Sequence, residues 1–325
     1  MIGIFKQKNP GNNLILLVYA LVLKFGYLLN AAPPLRQYED HYLYTLLLRF
    51  LDPLHLPFVV FGMISFALLY TQAILLNRIC IDQKMFGKPT YLPGMSYILL
   101  TSLFAEWNHF SSALLINTLL VLAFSRMVNI YNTSKPLGAI FNIGVLFGLI
   151  SLLYQPAIIF ILMIPFTLFV MRPFRIREWM TGFIGITTPY YFLALEPLLT
   201  NKWTWKHLMP SVTMDIPNMP SSIFVTLSIL ILVAPFVIGG YFVQANMNKM
   251  LIQIRKGWSL LLLLLIISLF MILVSGGNNY VNWIFCIISL SVFHAAAYFY
   301  PLNKKLPLAI HWLTFFYAMY IGYGL

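Results

Sequence analysis

Charge is what this chain is short of. Only 9% of its 325 residues are Asp, Glu, Lys or Arg, and just eight are acids. A water-soluble domain carries about a quarter of its residues charged, so a soluble globular fold is excluded. Cysteine is scarcer still: Cys80 and Cys286 lie far apart, the second inside an apolar run. That spacing excludes a disulfide framework and a zinc site. No internal repeat or low-complexity run is visible, which argues against a solenoid and a disordered tail. The first apolar run also lacks a small-residue cleavage site and reads as a retained helix, not a signal peptide.

Apolar sequence is what the chain has in quantity. Hydrophobic residues make up 61% of it, with a mean hydropathy of +0.85. Runs of roughly 20 apolar residues cross a bilayer. Stretches at 14–29, 56–76, 95–104, 112–124, 137–153, 156–171, 179–195, 221–243, 258–274, 280–299 and 308–323 follow one another along the chain. They predict an all-α, polytopic membrane helix bundle of about eleven transmembrane helices, a single integral membrane domain over residues 1–325. Gly138, Gly144 and Gly148 would let the fifth of these pack closely on a neighbour.

The net charge of +12 is distributed as a topology signal. With those crossings, fifteen of the twenty Lys and Arg residues fall on one side, four on the other, and Lys24 inside the first span. Basic residues stay cytoplasmic, so the 1–13 lead-in is expected in the cytoplasm and the C-terminus outside. Membrane lipids with anionic headgroups are the expected partners of that charge, and nucleic acid is not. Lys24 either snorkels or pairs within the bundle, or meets a phosphate or an outer acid.

The acids gather on the opposite side. Glu39, Asp40, Asp52, Glu106, Glu196 and Asp215 all fall outside, with His41, His55, His109 and His207. Residues 33–55 are fenced by Pro33-Pro34 and Pro53, and Leu43, Leu46, Leu47, Phe50 and Leu54 recur at helical spacing. An outer amphipathic helix is predicted there, with Glu39 and Asp40 in a first turn where the helix dipole favours their charge. Glu106 and His109, at i and i+3, could exchange a proton or contribute to a divalent metal site; the same stretch also reads as an interfacial Trp with polar neighbours. The outer loop 196–220 carries Lys202, Trp203, Trp205, Lys206 and His207, suited to a lipid-linked phosphate or to plain interfacial anchoring. His294 and His311, inside apolar helices, read as core groups.

The outer stretch Tyr38-Glu39-Asp40-His41-Tyr42, running on to Leu54-His55-Leu56-Pro57, resembles the GT-C superfamily of polyprenyl-phosphate-dependent glycosyltransferases. So does the block from Gly138 to Pro189, with its Tyr154-Gln155-Pro156 hairpin and its basic turn ending Arg177-Glu178-Trp179. The resemblance implies a periplasmic transferase in which Glu39 or Asp40 orients or deprotonates the acceptor hydroxyl. It also implies that Arg36, Lys202, Lys206 and His207 bind the lipid phosphate. Glu106 and His109 occupy the place of a second acidic motif, which in some branches helps bind a metal. The usual acid-x-acid pattern is absent there, and no large soluble domain is present. Separately, the opening from Met1 to Asn12 resembles an uncharacterised family of bacterial multi-pass inner-membrane proteins.

Three functions therefore compete. One is a transferase using a polyprenyl-phosphate-linked sugar, with a divalent metal as a candidate cofactor. Another is a non-catalytic GT-C-like subunit of an envelope secretion or assembly complex, with other membrane proteins as partners. The third is a transporter or lipid flippase, for which the sequence offers Lys24 and His294 at mid-membrane and little else.

Overall fold

The computed structural model describes residues 2–7, 9, 11–199, 222–275, 280–303 and 305–324. In chain order the helices are α1 (Ile2–Phe5), α2 (Asn12–Leu29), α3 (Tyr42–Leu51), α4 (Phe58–Asp82), α5 (Leu92–Leu100), α6 (Ser112–Asn129) and α7 (Leu137–Leu153). Then come α8 (Met163–Met171), α9 (Ile176–Leu199), α10 (Ile223–Asn246), α11 (Ile252–Val274), α12 (Ile284–Phe299) and α13 (Lys305–Gly324). The described residues form no strand, only an isolated antiparallel bridge between Asp40 and Tyr154.

Among the described residues six helical segments are long and apolar enough to cross a membrane: α2, α4, α6, α11, α10 continued to Lys249, and α12 with the turn from Tyr280. Those features are those of a multi-pass membrane protein. The α7 helix and the Gln155–Met171 stretch are apolar but shorter. Large apolar side chains point away from the bundle along α2 (Leu14, Val18), α9 (Phe183, Phe192), α10 (Leu230, Val237) and α13 (Leu313, Phe316), as lipid-facing surface does.

At the centre stands α12. Every residue from Ile284 to Tyr298 is buried, with α5, α10 and α11 packed around it. The α5 helix is as interior as α12, all nine of its residues being buried. Pro93 sits in its first turn, where a proline is tolerated, and the Thr101 hydroxyl at its end bonds back to the Tyr97 carbonyl (2.9 Å). Inside this layer Gln72, Tyr97, Asn117 and Thr118 bond to one another, Asn117 donating to the Tyr97 oxygen (2.6 Å) and Gln72 to Thr118 (2.6 Å). Such networks hold neighbouring helices in register where no water competes.

Glycine does what the sequence asks of it on α7 and α9. A Cβ at Gly144 would lie 2.5 Å from the Gly182 carbonyl oxygen, and one at Gly148 equally close to that of Ile186. Gly138, by contrast, has nothing within 4 Å of its would-be Cβ and takes no part.

The loops gather at two ends. At one, Thr90 and Tyr91 donate to the Phe5 carbonyl, Lys6 to that of Phe299, and Arg172 to those of Ile130 and Thr133. At the other, Leu35 donates to Phe110 and His41 to Leu153. We call these the basic end and the acidic end.

The helix expected over 33–55 is shorter than its sequence pattern. Residues 31–37 are non-helical, α3 runs only from Tyr42 to Leu51, and Asp52–Leu54 form a 3-10 turn closed by His55 at φ 44°. Glu39 and Asp40 therefore precede the helix, and its first turn holds no acid. Pro33 and Pro34 keep the preceding residues extended, and the 39–41 segment pairs with 153–155 instead of continuing a helix.

Candidate functional site

The acidic end is built from the turns between helices. Residues 39–41 run antiparallel to the exit of α7, with His41 N donating to the Leu153 carbonyl and Gln155 N to that of Glu39, both at 3.0 Å. This puts Tyr154 under the acid pair. Its hydroxyl donates to Glu39 Oε2 and accepts from Asn282 Nδ2 (2.8 Å). Asp40 reaches the start of α6: its Oδ1 accepts from the Ser112 hydroxyl and its Oδ2 from Gln37 N (2.6 Å). The helix dipole that favours Asp40 is thus that of α6 and not that of α3.

Burial pushes the Asp40 carboxyl up to about 6, against the pull of the Ser112 and Gln37 hydrogen bonds, and the Glu39 charge adds to the rise. Burial likewise raises the Tyr154 hydroxyl, reinforced by Glu39. His41 is buried and bonded to the Leu152 carbonyl; its burial lowers the imidazole.

Glu106 and His109 lie one layer across. Residues 105–108 form a 3-10 turn, and His109 closes it in extended backbone with its N–H toward the Glu106 carbonyl (3.4 Å). Both side chains line a cavity of about 310 Å³ shared with Tyr27, Asn30, Phe104, Phe224, Ser228 and Tyr280. Burial lowers the His109 imidazole and the Glu106 charge opposes that shift. The turn is pinned from below by Lys24, only 2% exposed, whose ammonium donates to Asn108 Oδ1 (2.6 Å) and Thr101 Oγ1 (3.0 Å). Lys24 thus pairs within the bundle.

The 280–283 turn joins the two clusters. Asn282 holds Tyr154, while the Tyr280 carbonyl accepts from Trp107 Nε1 (2.8 Å) and its ring packs on Phe104 at 5.4 Å. Glu39 and Asp40 are among the lining of none of the described cavities, whereas Glu106 and His109 share one. Arg36 is exposed and forks onto Asp52 (2.8 and 2.9 Å). Lys202, Lys206 and His207, with the rest of 200–221, lie outside the described residues.

Among the described residues no three His, Cys, Asp or Glu side chains group as a metal site, and Glu106 with His109 does not make one alone. Sequence reasoning missed Ser112, Asn282 and Tyr280; Tyr154 had a signal, its place in a tight hairpin. No protein-family model, curated protein or solved structure matches the chain.

Proposed function

We propose that the protein is an inner-membrane transferase of GT-C-like architecture, its acidic end in the periplasm, taking sugar from a polyprenyl-phosphate donor. In this reading α5, α7, α8, α9 and α13 complete the eleven crossings expected from the sequence. The observation that carries the proposal is the cavity holding Glu106 and His109. It is mostly apolar and is bounded by Phe224 and Val225 of α10 and Ile321 of α13. Both helices turn large apolar side chains outward, so a polyprenyl chain can approach from the lipid.

The acceptor hydroxyl oxygen attacks the anomeric carbon, the bond from that carbon to the phosphate oxygen breaks, and polyprenyl phosphate leaves. The acceptor proton passes to the Glu106 carboxylate, with His109 beside it. Lys202, Lys206 and His207 are the cations assigned to the departing phosphate. Glu39 and Asp40 become positioning residues: Asp40 ties the segment to the start of α6 through Ser112, and Glu39, through Tyr154 and Asn282, sets the 280–283 turn that walls the cavity.

The test is release of polyprenyl phosphate from a panel of sugar-labelled polyprenyl-phosphate hexoses by the protein in proteoliposomes, with native membrane extract added as the source of acceptor hydroxyls. Glu106→Gln should lower the rate by about 10²–10⁴ with insertion and yield unchanged. Undiminished transfer by that variant would reject the assignment. The same fastening of Glu39 and Asp40 favours a second reading, a non-catalytic subunit of an envelope complex. That reading requires stable co-purification with other membrane proteins from native membranes, together with no transfer from any donor in the panel.

A further inference from the structure

The basic end has a cavity of its own, and nothing in the proposed transferase uses it. Its volume is about 350 Å³, and it lies between α1, the end of α12 and the start of α13. Ile2, Pro301, Pro307 and Leu308 make its walls apolar, Tyr298 forms part of its inner surface, and the exposed Lys6 stands at its mouth.

Behind this cavity lies a cluster of buried polar atoms without partners among the described residues, of which Tyr298 alone reaches the cavity wall. Tyr298 is 1% exposed and its hydroxyl closes no hydrogen bond of full geometry among the described residues; the Thr314 hydroxyl lies within reach of it but spends its own proton on the Ile310 carbonyl (2.8 Å). The fully buried His311 ring stands against Tyr298 at 6.2 Å, and neither of its nitrogens has a partner among the described residues. Tyr19 stacks on His311 at 6.1 Å, its hydroxyl equally unpaired. Buried polar groups are nearly always hydrogen-bonded, so a cluster of exceptions beside a cavity points to a missing polar atom. Water alone would suit a polar cavity, but most of this wall is aliphatic side chains and prolines, with Lys6, Gln7 and Tyr298 its polar exceptions.

Location narrows the occupant. The cavity sits where α12 ends at Phe299 and α13 begins at Lys305, the depth at which lipid ester groups meet headgroups. Lys6 is held at the mouth by the Phe299 carbonyl (2.8 Å) and by the Phe299 ring 5.2 Å below its ammonium. We infer that this cavity binds one anionic glycerophospholipid, an ester carbonyl accepting from the Tyr298 hydroxyl, the phosphate beside Lys6, and an acyl chain along Ile2, Pro307 and Leu308.

The hydrogen bond can be tested apart from the charge. Native mass spectrometry of the full chain would titrate dioleoyl phosphatidylglycerol, its ether-linked counterpart lacking ester carbonyls, and dioleoyl phosphatidylcholine. The ester form should bind about five-fold tighter than the ether form, the worth of one hydrogen bond. Tyr298→Phe should erase that ratio, and Lys6→Gln should erase the preference for phosphatidylglycerol over phosphatidylcholine while keeping the ester preference. Equal binding of ester and ether lipids by the unmodified chain would overturn the inference, without need of any variant. So would an ester preference that survives Tyr298→Phe, while a headgroup preference surviving Lys6→Gln would overturn the placement of the phosphate.

Discussion

Asp40 holds the most finely balanced position at the acidic end. Its carboxyl lies half in the protein, titrating near 6 where an exposed aspartate titrates near 3.8. The folded state therefore binds the proton more tightly than the unfolded chain does. The stability linked to this group is complete below the unfolded pKa and is lost as pH rises through about 6. His41 and His109 act in the opposite sense, because burial depresses both imidazoles and acidification must charge them. The clean observable is the difference between the protein and Asp40→Asn, from thermal or denaturant unfolding in detergent. That difference should shift in favour of the unmodified protein by up to about 1 kcal/mol from pH 7.5 to pH 5, allowing for partial exposure. A difference independent of pH would show that Asp40 is not held as described. The sequence supplied the acid and its proline fence but not its partners. Tyr154 is 115 positions from Glu39, and Ser112 is 72 from Asp40. No local spacing records such pairings.

Among the elements, α7 and α9 give the sharpest test. Their glycines let the backbones approach until a single methyl group would meet backbone that cannot yield. Gly144→Ala would put its Cβ 2.5 Å from the Gly182 oxygen and 2.8 Å from Gly185 Cα, at a cost of about 1–3 kcal/mol. Gly138→Ala, in the same helix but facing open space, should be neutral or stabilise by up to about 1 kcal/mol. Thermal midpoints of the two variants check this, and equal effects would contradict the close crossing. Helical runs such as 137–153 and 280–299 were legible because an apolar run of that length has few other folds. The start of α3 was not. Its apolar repeat extends through Leu54, but pairing of 39–41 with the exit of α7 competes with helix and wins. Glu106 and His109 were legible as an i, i+3 pair. That they share a cavity depends on α10 and α13, far along the chain.

The whole molecule is a helical bundle with unlike ends. One end gathers basic loops around α1 and an apolar cavity; the other gathers carboxylates and imidazoles over a cavity bordered by lipid-facing helices. Composition and the alternation of loops made that polarity readable, since charge is excluded from the interior and must collect where helices end. Which acid lines one of the described cavities was not readable. It turns on whether a carboxylate spends its oxygens on Ser112 and Tyr154 or leaves them to a ligand. The central claim is that the Glu106–His109 cavity receives the lipid-linked donor. The most direct measurement is photocrosslinking of a diazirine-bearing polyprenyl phosphate to the protein in proteoliposomes, with the adducts mapped by mass spectrometry. The account predicts adducts on Phe224–Ser228 and on the 103–109 turn, competed by unlabelled polyprenyl phosphate. Adducts confined to other helices, or labelling that competitor does not reduce, would contradict it.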